Sequence, residues 1–388
     1  MKKILLIAFI LIFSTKAFAN KNKNTWDYPL RDYEGWVIKG SENHYKFKSN
    51  LRQDKNVLKE FKNNKNTGII SYLLFENDQI VIDESDIPYS VQGDKIIDGM
   101  LPSHSMGKSL VSYVTGHAIC EGYISSIDHK LNDWELLENT LFYDQKLIDI
   151  LNMAAGDQKY SKFNFTKAPK AFGKDWSRNP NNNTIKFHMQ SGIFKDSKKG
   201  KNKYNYSNVV PNVVINYVNF KSNGNFQKLL DKIFISKAKV KYSVYFLGMN
   251  SNTVQRGYQV QDTDGLIRYS FRASRYDYLR IAKAILDDWQ NDTCVGKYLK
   301  NIHERRIPKN NKWKDDNSAS LNSKSYAGFF HTNYSGISSK KRNVMGMVGY
   351  GGQSIMIDFD KGRINVINSI HIDYNWKKIA HSVIKKGE

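Results

Sequence analysis

The sequence predicts an α/β fold of the α+β type, in which an antiparallel sheet flanked by terminal helices is joined to a mostly helical domain. Segments typical of strands cluster near both ends of the chain, whereas segments with helical periodicity fill its middle. Strands from the two ends can complete one sheet around a helical insertion. With 388 residues, 40% of them hydrophobic, the chain has ample material for cores of this kind.

The first 19 residues have the layout of a secretory signal peptide. Two lysines precede an apolar run from Ile4 to Phe13, and Ala17 and Ala19 supply the small residues of a cleavage site. The run is shorter than the ~20 apolar residues that cross a bilayer as a helix. We therefore expect a bacterial protein that is cleaved after Ala19, is periplasmic or secreted, and has no membrane span.

The predicted sheet domain comprises residues 20–110 and 265–388. Its first part contains a possible helix and two strands of a hairpin, at 45–61, 68–75 and 79–84. Its second part contains an amphipathic helix, three strands and a closing helix, at 276–289, 343–348, 353–359, 364–370 and 374–386.

The predicted helical domain comprises residues 111–264. Apolar residues at helical spacing predict helices at 105–121, 147–153 and 209–220. Residues 157–203 are rich in Lys, Asn and Ser and show little periodicity. A loop of this length is usually functional or flexible.

The net charge of +22 admits a polyanionic partner. However, Lys and Asn are scattered along the whole chain, as compositional bias produces, and no known nucleic-acid-binding pattern accompanies the densest run, residues 195–203 (KDSKKGKNK). We expect a solvated loop there and no nucleic acid partner. The two cysteines, Cys120 and Cys294, exclude a disulfide-rich scaffold or a cysteine-built metal site. They can pair after export or remain free and buried.

The first candidate for chemistry is Ser105, which stands at a predicted helix start with Lys108 one turn later. This spacing places both side chains on one face of the helix. A helix N-terminus favours negative charge, which suits an oxyanion, and a nearby neutral lysine can accept the serine proton. Ser-x-x-Lys also occurs at Ser236, Ser338 and Ser382, but only the first pair follows two strands and opens a long apolar helix.

The second candidate is Tyr206, which is followed two residues later by Asn208 and then by an apolar helix. A tyrosine beside a lysine can have its pKa lowered by that cation and can then act as an acid or a base. Taken alone, this pattern is equally typical of a surface turn.

The third candidate is a glycine-rich stretch, Tyr350, Gly351, Gly352 and Gln353, at the start of an alternating strand. Glycines beside a strand indicate the close approach of another backbone or of a ligand. The backbone N–H groups of such a stretch can stabilise an oxyanion. Without the other two candidates, a glycine-rich turn would be the preferred interpretation.

Together, the three stretches resemble the serine β-lactamase and penicillin-binding superfamily. Their order and spacing are similar to those of its class C-like branch, with the related family VIII esterases and 6-aminohexanoate-dimer hydrolases. Residues 150–156 (ILNMAAG) are similar to the family's LLNMTSG stretch, and residues 275–280 (RYDYLR) to its ARDLAR helix start. The resemblance spans roughly residues 65–372 and implies a β-lactamase-like fold.

The resemblance implies an exported serine hydrolase that forms an acyl-enzyme at Ser105. Lys108 and Tyr206 would accept the serine proton and pass it to the leaving group, and which of them is the base stays open. Asn208 would orient Lys108 or the substrate. Residues 350–353 would bind the substrate, and the oxyanion would lie between the N–H of Ser105 and one from the Tyr350 region. The resemblance implies no metal and no cofactor.

The third stretch departs from the β-lactamase pattern. There, Lys-Thr-Gly supplies a cation that meets the substrate carboxylate, whereas this chain has Tyr350, Gly351 and Gly352. This difference favours a small ester or amide as the substrate. Two alternatives stay open: a penicillin-binding D,D-carboxypeptidase or β-lactamase activity, and a catalytically silent protein that binds an envelope ligand.

Other histidine patterns are weaker candidates. The sequence contains no His-Glu-x-x-His pattern of a metal site. Asp128 and His129 could belong to a Ser-His-Asp triad, but no Gly-x-Ser-x-Gly elbow accompanies them. His331, in a His-Thr-Asn sequence, precedes the glycine stretch by too many residues to replace it, and His104 is expected to be structural.

Overall fold

The computed structural model describes residues 35–86, 100–160, 185–190, 194–248, 267–309, 319–334, 342–370 and 373–386. The predicted signal peptide lies outside these ranges, and so do residues 161–184 and 191–193 of the predicted long loop.

The strands, in chain order, are β1 (Gly35–Ile38), β2 (Lys48–Ser49), β3 (Ile69–Glu76), β4 (Gln79–Ser85), β5 (Leu101–Pro102), β6 (Val244–Gly248), β7 (Ile267–Ala273), β8 (Ile307–Pro308), β9 (Ser323–Ala327), β10 (Phe330–Tyr334), β11 (Val344–Gly349), β12 (Gln353–Asp358) and β13 (Arg363–Ser369).

The α-helices are α1 (Lys55–Lys62), α2 (Asn64–Thr67), α3 (Met106–Cys120), α4 (Leu147–Leu151), α5 (Ile185–Gln190), α6 (Val210–Lys221), α7 (Phe226–Asp231), α8 (Arg275–Gln290), α9 (Cys294–Glu304), α10 (Ala319–Asn322) and α11 (Ser382–Lys386). Short 3-10 turns span Glu135–Leu137 and Tyr350–Gly352, and π-helical turns span Lys232–Lys237 and Lys377–His381.

The larger sheet unites the two ends of the chain, as the sequence predicted. Its strand order is β2-β4-β3-β13-β12-β11-β10-β9-β8. The late strand β13 pairs antiparallel with the early strand β3, so that Val366 lies opposite Leu73. All its pairings are antiparallel except that of β2 with β4. The predicted α/β class, with an antiparallel sheet and packed helices, is therefore confirmed.

A smaller sheet was not predicted. It has the order β1-β6-β7-β5, and it draws β6 from the segment that was expected to be mainly helical. The five-residue β6 (VYFLG) is too short to show a clear period, and the exposed Arg268 near the start of β7 weakens its pattern. The division of the chain into two domains stays a prediction.

Two predicted helices are shorter than expected. The helix predicted at 45–61 begins only at Lys55, because the Asp54 carboxylate accepts hydrogen bonds from the backbone N–H groups of Asn56 and Val57 and thereby fixes the helix start. The closing helix begins at Lys377 rather than at Tyr374. Tyr374 and Trp376, which precede the closing helix, are nevertheless buried in the second hydrophobic cluster.

The helix α3 lies in the interior. Because β7 and β11 pack against it together with α6 and α9, its residues 106–118 are all buried. Residues of β3 alternate between two hydrophobic clusters: Leu73 and Phe75 face the cluster around α3, whereas Tyr72 and Leu74 face the terminal helices. The sheet therefore separates the α3 side from a second core.

The two cysteines form a disulfide. Cys120 ends α3 and Cys294 begins α9, with their Cα atoms 5.9 Å apart. The bond ties the far end of α3 to its neighbour and resolves the pairing that the sequence left open.

Candidate active site

Ser105 stands at the start of α3, and its hydroxyl makes no capping hydrogen bond to the helix. Lys108 Nζ lies 2.8 Å from Ser105 Oγ, because one helical turn separates the two residues. The preceding residue, His104, has a left-handed backbone with φ of 46°. This conformation is costly for a non-glycine residue, and it turns the chain sharply from β5 into α3.

The turn before α3 is clamped to β7. The Ser103 N–H donates to the Phe271 carbonyl at 2.8 Å, and Ser103 Oγ accepts from the Phe271 N–H at 2.8 Å. Gly107 lies so close to β7 that a Cβ atom there would be 2.0 Å from the Tyr269 carbonyl oxygen. A glycine is therefore required within the Ser-x-x-Lys turn, because any side chain would push the helix away from the strand.

Lys108 is a buried lysine. It is 1% exposed, and this burial lowers the pKa of its ammonium well below the usual lysine value. Its Nζ also bonds Asn208 Oδ1 at 2.9 Å. Among the described residues no carboxylate forms an ion pair with it. A lysine with a neutral partner and no counter-ion is deprotonated more readily than an exposed lysine, and is therefore suited to act as a base.

The segment 204–208 is held in place by the stretch that resembles the family's LLNMTSG. Met153 has φ of 56°, and its carbonyl accepts the Asn205 N–H at 2.8 Å. The Asn205 side chain donates to Asp157 Oδ1 at 2.8 Å. These bonds fix the backbone on both sides of Asn205, so that Tyr206 and Asn208 both reach the Lys108 amine.

Tyr206 lies beside both predicted catalytic groups. Its ring centroid is 4.7 Å from Lys108 Nζ, and the neighbouring Ser105 side chain favours a lower phenol pKa. Although Tyr206 is 40% exposed, desolvation by the surrounding protein outweighs that effect and raises the phenol pKa. The expectation that Lys108 lowers this pKa is therefore wrong in direction, because burial disfavours both the phenolate and the ammonium.

Tyr269 belongs to the same cluster, and the sequence reasoning missed it. Its hydroxyl donates to Asn208 Oδ1 at 3.1 Å, and its ring centroid is 3.9 Å from Lys108 Nζ. Burial raises the pKa of its phenol, and the neighbouring Ser105 side chain opposes this shift. Lys108 is thus enclosed by two tyrosine rings. No local signal marks Tyr269, since its strand was not predicted.

The glycine-rich stretch lies beside the turn that carries Ser105. A Cβ atom on Gly349 would be 2.3 Å from the Ser103 carbonyl oxygen. The ring of Tyr350, which is 71% exposed, meets that of His104 edge-on at 5.8 Å. Gly351 has φ of 78°, as the tight hairpin from β11 to β12 requires. Gly349 and Tyr350 therefore lie against Ser103 and His104, the two residues before Ser105, and the role of this stretch in binding stays a prediction.

Gln353 is buried in the sheet, where a substrate cannot contact its side chain. Its side chain is 2% exposed and is enclosed by the sheet, where it donates to the Ser369 carbonyl and accepts from Asn368 Nδ2 at 3.1 Å. Strand alternation directs it into the interior. Its predicted role in substrate binding is therefore corrected to one of holding β12 and β13 in place.

The other histidine candidates have separate partners. His331 is buried on β10, within 3.1 Å of Lys309 Nζ and of Ser323 Oγ. Asp128 pairs with Arg305 rather than with a histidine. Burial lowers the pKa of His104 to about 4, with a further contribution from Arg272, so its imidazole is neutral at physiological pH and supports the turn through packing.

Comparisons with known proteins find this fold in solved structures but find no similar sequence. No family model matches the chain, and no curated protein matches it in sequence. Among solved structures, a Bacillus anthracis protein named as a 6-aminohexanoate-dimer hydrolase superposes with a TM-score of 0.61 at 11% identity, covering 91% of this chain and 92% of that one.

Two further structures are similar. FmtA from Staphylococcus aureus gives a TM-score of 0.52 at 15% identity, over 90% of this chain and 94% of its own. The octameric penicillin-binding protein homologue from Pyrococcus abyssi gives 0.55 at 14% identity, over 84% and 75%. The chain therefore has the fold of the serine β-lactamase and penicillin-binding superfamily, as the sequence resemblance implied.

Within the described residues, no helix has both the length and the apolar character needed to cross a bilayer.

Proposed function

We propose that the protein is an exported serine hydrolase that cleaves a small ester or amide through an acyl-enzyme at Ser105. One observation carries this proposal: the Ser105 hydroxyl lies 2.8 Å from the amine of Lys108, and burial lowers the pKa of this lysine. The fold similarity to hydrolases of this superfamily supports it.

Acylation begins when Ser105 Oγ attacks the substrate carbonyl carbon and its proton moves to the Lys108 amine. Burial makes Lys108 the better base, because it lowers the lysine pKa and raises that of Tyr206. The oxyanion that forms is placed between the Ser105 N–H at the start of α3 and an N–H of the hairpin around Tyr350.

Collapse of the tetrahedral intermediate requires a proton on the leaving group. Tyr206 supplies it to the leaving oxygen or nitrogen and takes the proton from the Lys108 ammonium, so that both groups return to their starting states. In deacylation a water molecule gives a proton to Lys108 and attacks the acyl carbon. Ser105 Oγ then leaves and recovers that proton, which completes the cycle.

Asn208 and Tyr269 position the base. The Asn208 carbonyl oxygen accepts hydrogen bonds from both Lys108 and Tyr269. The first bond holds the Lys108 amine, whose nitrogen lies 2.8 Å from Ser105 Oγ, and the second holds the Asn208 side chain. We therefore assign both residues a positioning role.

The motif of the hairpin favours a small ester or amide over a cell-wall peptide as the substrate. In the sequence, the exposed Tyr350 takes the place of the cation with which β-lactamases meet the substrate carboxylate. The penicillin-binding and β-lactamase activities remain the alternative within the same mechanism, and a silent envelope-binding protein remains the alternative outside it. The predicted signal peptide and the Cys120–Cys294 disulfide both support export.

Hydrolysis assays on purified protein test the proposal. We expect turnover of p-nitrophenyl esters or short linear amides by the wild type and none by Ser105→Ala. Faster acylation by penicillins than by any ester would favour the alternative activity. Absence of turnover on every class tested would favour the silent protein.

A further inference from the structure

The lysine loop, residues 194–203, borders the candidate site. It carries Lys195, Lys198, Lys199, Lys201 and Lys203 against a single acidic residue, Asp196, and all six are exposed. The chain then continues directly into Tyr206. Because one residue spans at most ~3.6 Å, the Cα atoms of Lys203 and Tyr206 are within ~11 Å of each other. The charge therefore lies at the edge of the site.

The backbone of the lysine loop is fixed. Gly200 N–H donates to the Gly156 carbonyl at 2.7 Å, and Gln158 Nε2 donates to the Lys201 carbonyl at 2.7 Å. The Lys198 N–H donates to the Tyr160 hydroxyl at 3.2 Å. These bonds hold the main chain against the helical part of the protein, so the lysine side chains project from a defined surface.

The two carboxylates near the lysine loop are bonded to neutral side chains rather than to these lysines. Asp149 accepts from the Asn202 side chain at 3.2 Å, and Asp157 accepts from Asn205 at 2.8 Å. Both acids are thus paired with neutral amides of the adjoining chain. Elsewhere in the described residues, exposed lysines do have acidic partners, as Lys130 and Lys300 have in Asp144 and Asp292.

The sequence that precedes the lysine loop is also positively charged on balance. Residues 157–203 as a whole contain eleven lysines and Arg178 against three aspartates. A surface of one sign beside a site raises the local concentration of oppositely charged substrate. The Debye length is ~8 Å at physiological ionic strength and ~30 Å at ~0.01 M, so this attraction should be strongest at low salt and should weaken as salt is added.

We propose that the lysine loop selects substrates whose acyl part carries negative charge, as carboxylate or phosphate. This inference rests on the proposed hydrolase function and names its substrate class. It also offers a different source of positive charge from the hairpin, where this chain lacks the cation of the β-lactamase pattern.

Two esters of equal chain length test the proposal. p-Nitrophenyl valerate is neutral, and mono-p-nitrophenyl glutarate carries one carboxylate. For the wild type, we expect the ratio of kcat/KM for glutarate over valerate to fall about tenfold between ~20 mM and ~0.5 M NaCl, because salt screens the loop. A ratio that does not change with salt would overturn the proposal.

A matched pair of variants locates the effect. The loop variant is Lys198→Gln/Lys201→Gln/Lys203→Gln. The control variant is Lys59→Gln/Lys62→Gln/Lys378→Gln, which removes the same charge from α1 and the closing helix, across the sheet from α3. We expect the low-salt ratio to fall roughly 3- to 10-fold in the loop variant only. An equal fall in both variants would show non-specific attraction and contradict the proposal.

A binding measurement separates this proposal from the hydrolase proposal. If neither ester is turned over, anisotropy of fluorescein-labelled tetraglutamate is measured with the Ser105→Ala protein. Binding that the loop substitutions abolish and the control substitutions preserve would support the anionic surface even without hydrolysis, and equal binding by all three proteins would overturn it. Competition by succinate or by inorganic phosphate shows which anion is preferred.

Discussion

The two sides of the candidate site differ in how their polar groups are bonded. On the inner side, Lys108 and Asn208 are hydrogen-bonded to each other, and Tyr269 is bonded to Asn208. On the outer side, Tyr350 is 71% exposed, and the lysine loop has no acidic partner among the described ion pairs. We therefore expect the inner side to carry out the chemistry and the outer side to determine which substrate binds.

Replacing Lys108 by methionine tests the inner side most severely. Met has a similar length but cannot accept a proton, so we expect kcat/KM to fall by about 10²- to 10⁴-fold. Because a buried polar lysine is exchanged for an apolar side chain, the thermal midpoint should stay equal or rise. Steady-state kinetics and thermal unfolding check both. Activity within tenfold of the wild type would remove Lys108 from the mechanism.

Replacing Tyr206 by phenylalanine tests the proton path to the leaving group. The ring and its packing remain, but the hydroxyl is lost, and we expect kcat to fall about 10²-fold. The loss should be larger for an amide than for a p-nitrophenyl ester, because nitrophenolate leaves without needing a proton. An equal loss on both substrates would argue that Tyr206 has only a structural role.

The pH dependence tests the state of the base. Below its pKa, Lys108 is an ammonium and cannot accept the serine proton, so kcat/KM should fall about tenfold per pH unit on the acid side. Since burial lowers the Lys108 pKa, the midpoint of this limb should lie well below ordinary lysine values. A pH–rate profile measures it. A midpoint near ~10.4, the value of an exposed lysine, would contradict the account.

Replacing Tyr269 by phenylalanine should cost less than replacing Tyr206. One hydrogen bond to Asn208 is lost, which is worth about 0.5–1.5 kcal/mol, so kcat should fall roughly 2- to 10-fold. With Asn208 left to Lys108 alone, the ammonium form is favoured, and the acid limb should move to higher pH. A fall in kcat without that movement would indicate a merely structural effect.

Replacing Tyr350 by alanine tests the outer side and should have the smallest effect. Because the ring is exposed and contacts His104 alone among the described rings, we expect KM to rise a few-fold, about 1 kcal/mol or less, with kcat unchanged. A large fall in kcat would place Tyr350 among the groups that act on the transition state.

The same difference explains what the sequence could predict. Ser105 and Lys108 are one helical turn apart, so their contact follows from local geometry. Tyr206 and Asn208 lie about a hundred residues away, and only the resemblance to a known order of motifs connected them with Ser105. That resemblance also identified the fold correctly.

The sequence-based predictions failed where contacts between residues distant in the chain determine the structure. Tyr269 comes from a strand whose pattern is interrupted by Arg268, and its place beside Lys108 depends on the close approach of Gly107 to β7. Gln353 was read as part of a binding stretch, but strand alternation directs it into the sheet. The direction of the Tyr206 pKa shift depends on burial, which spacing does not reveal.

The central claim is that Ser105 is an activated nucleophile. Intact-mass spectrometry of the purified protein after exposure to a fluorophosphonate tests it directly, with Ser105→Ala as the control. The account predicts one phosphonyl adduct on the wild type and none on the variant. An unmodified wild type, or an adduct that persists in the variant, would contradict it.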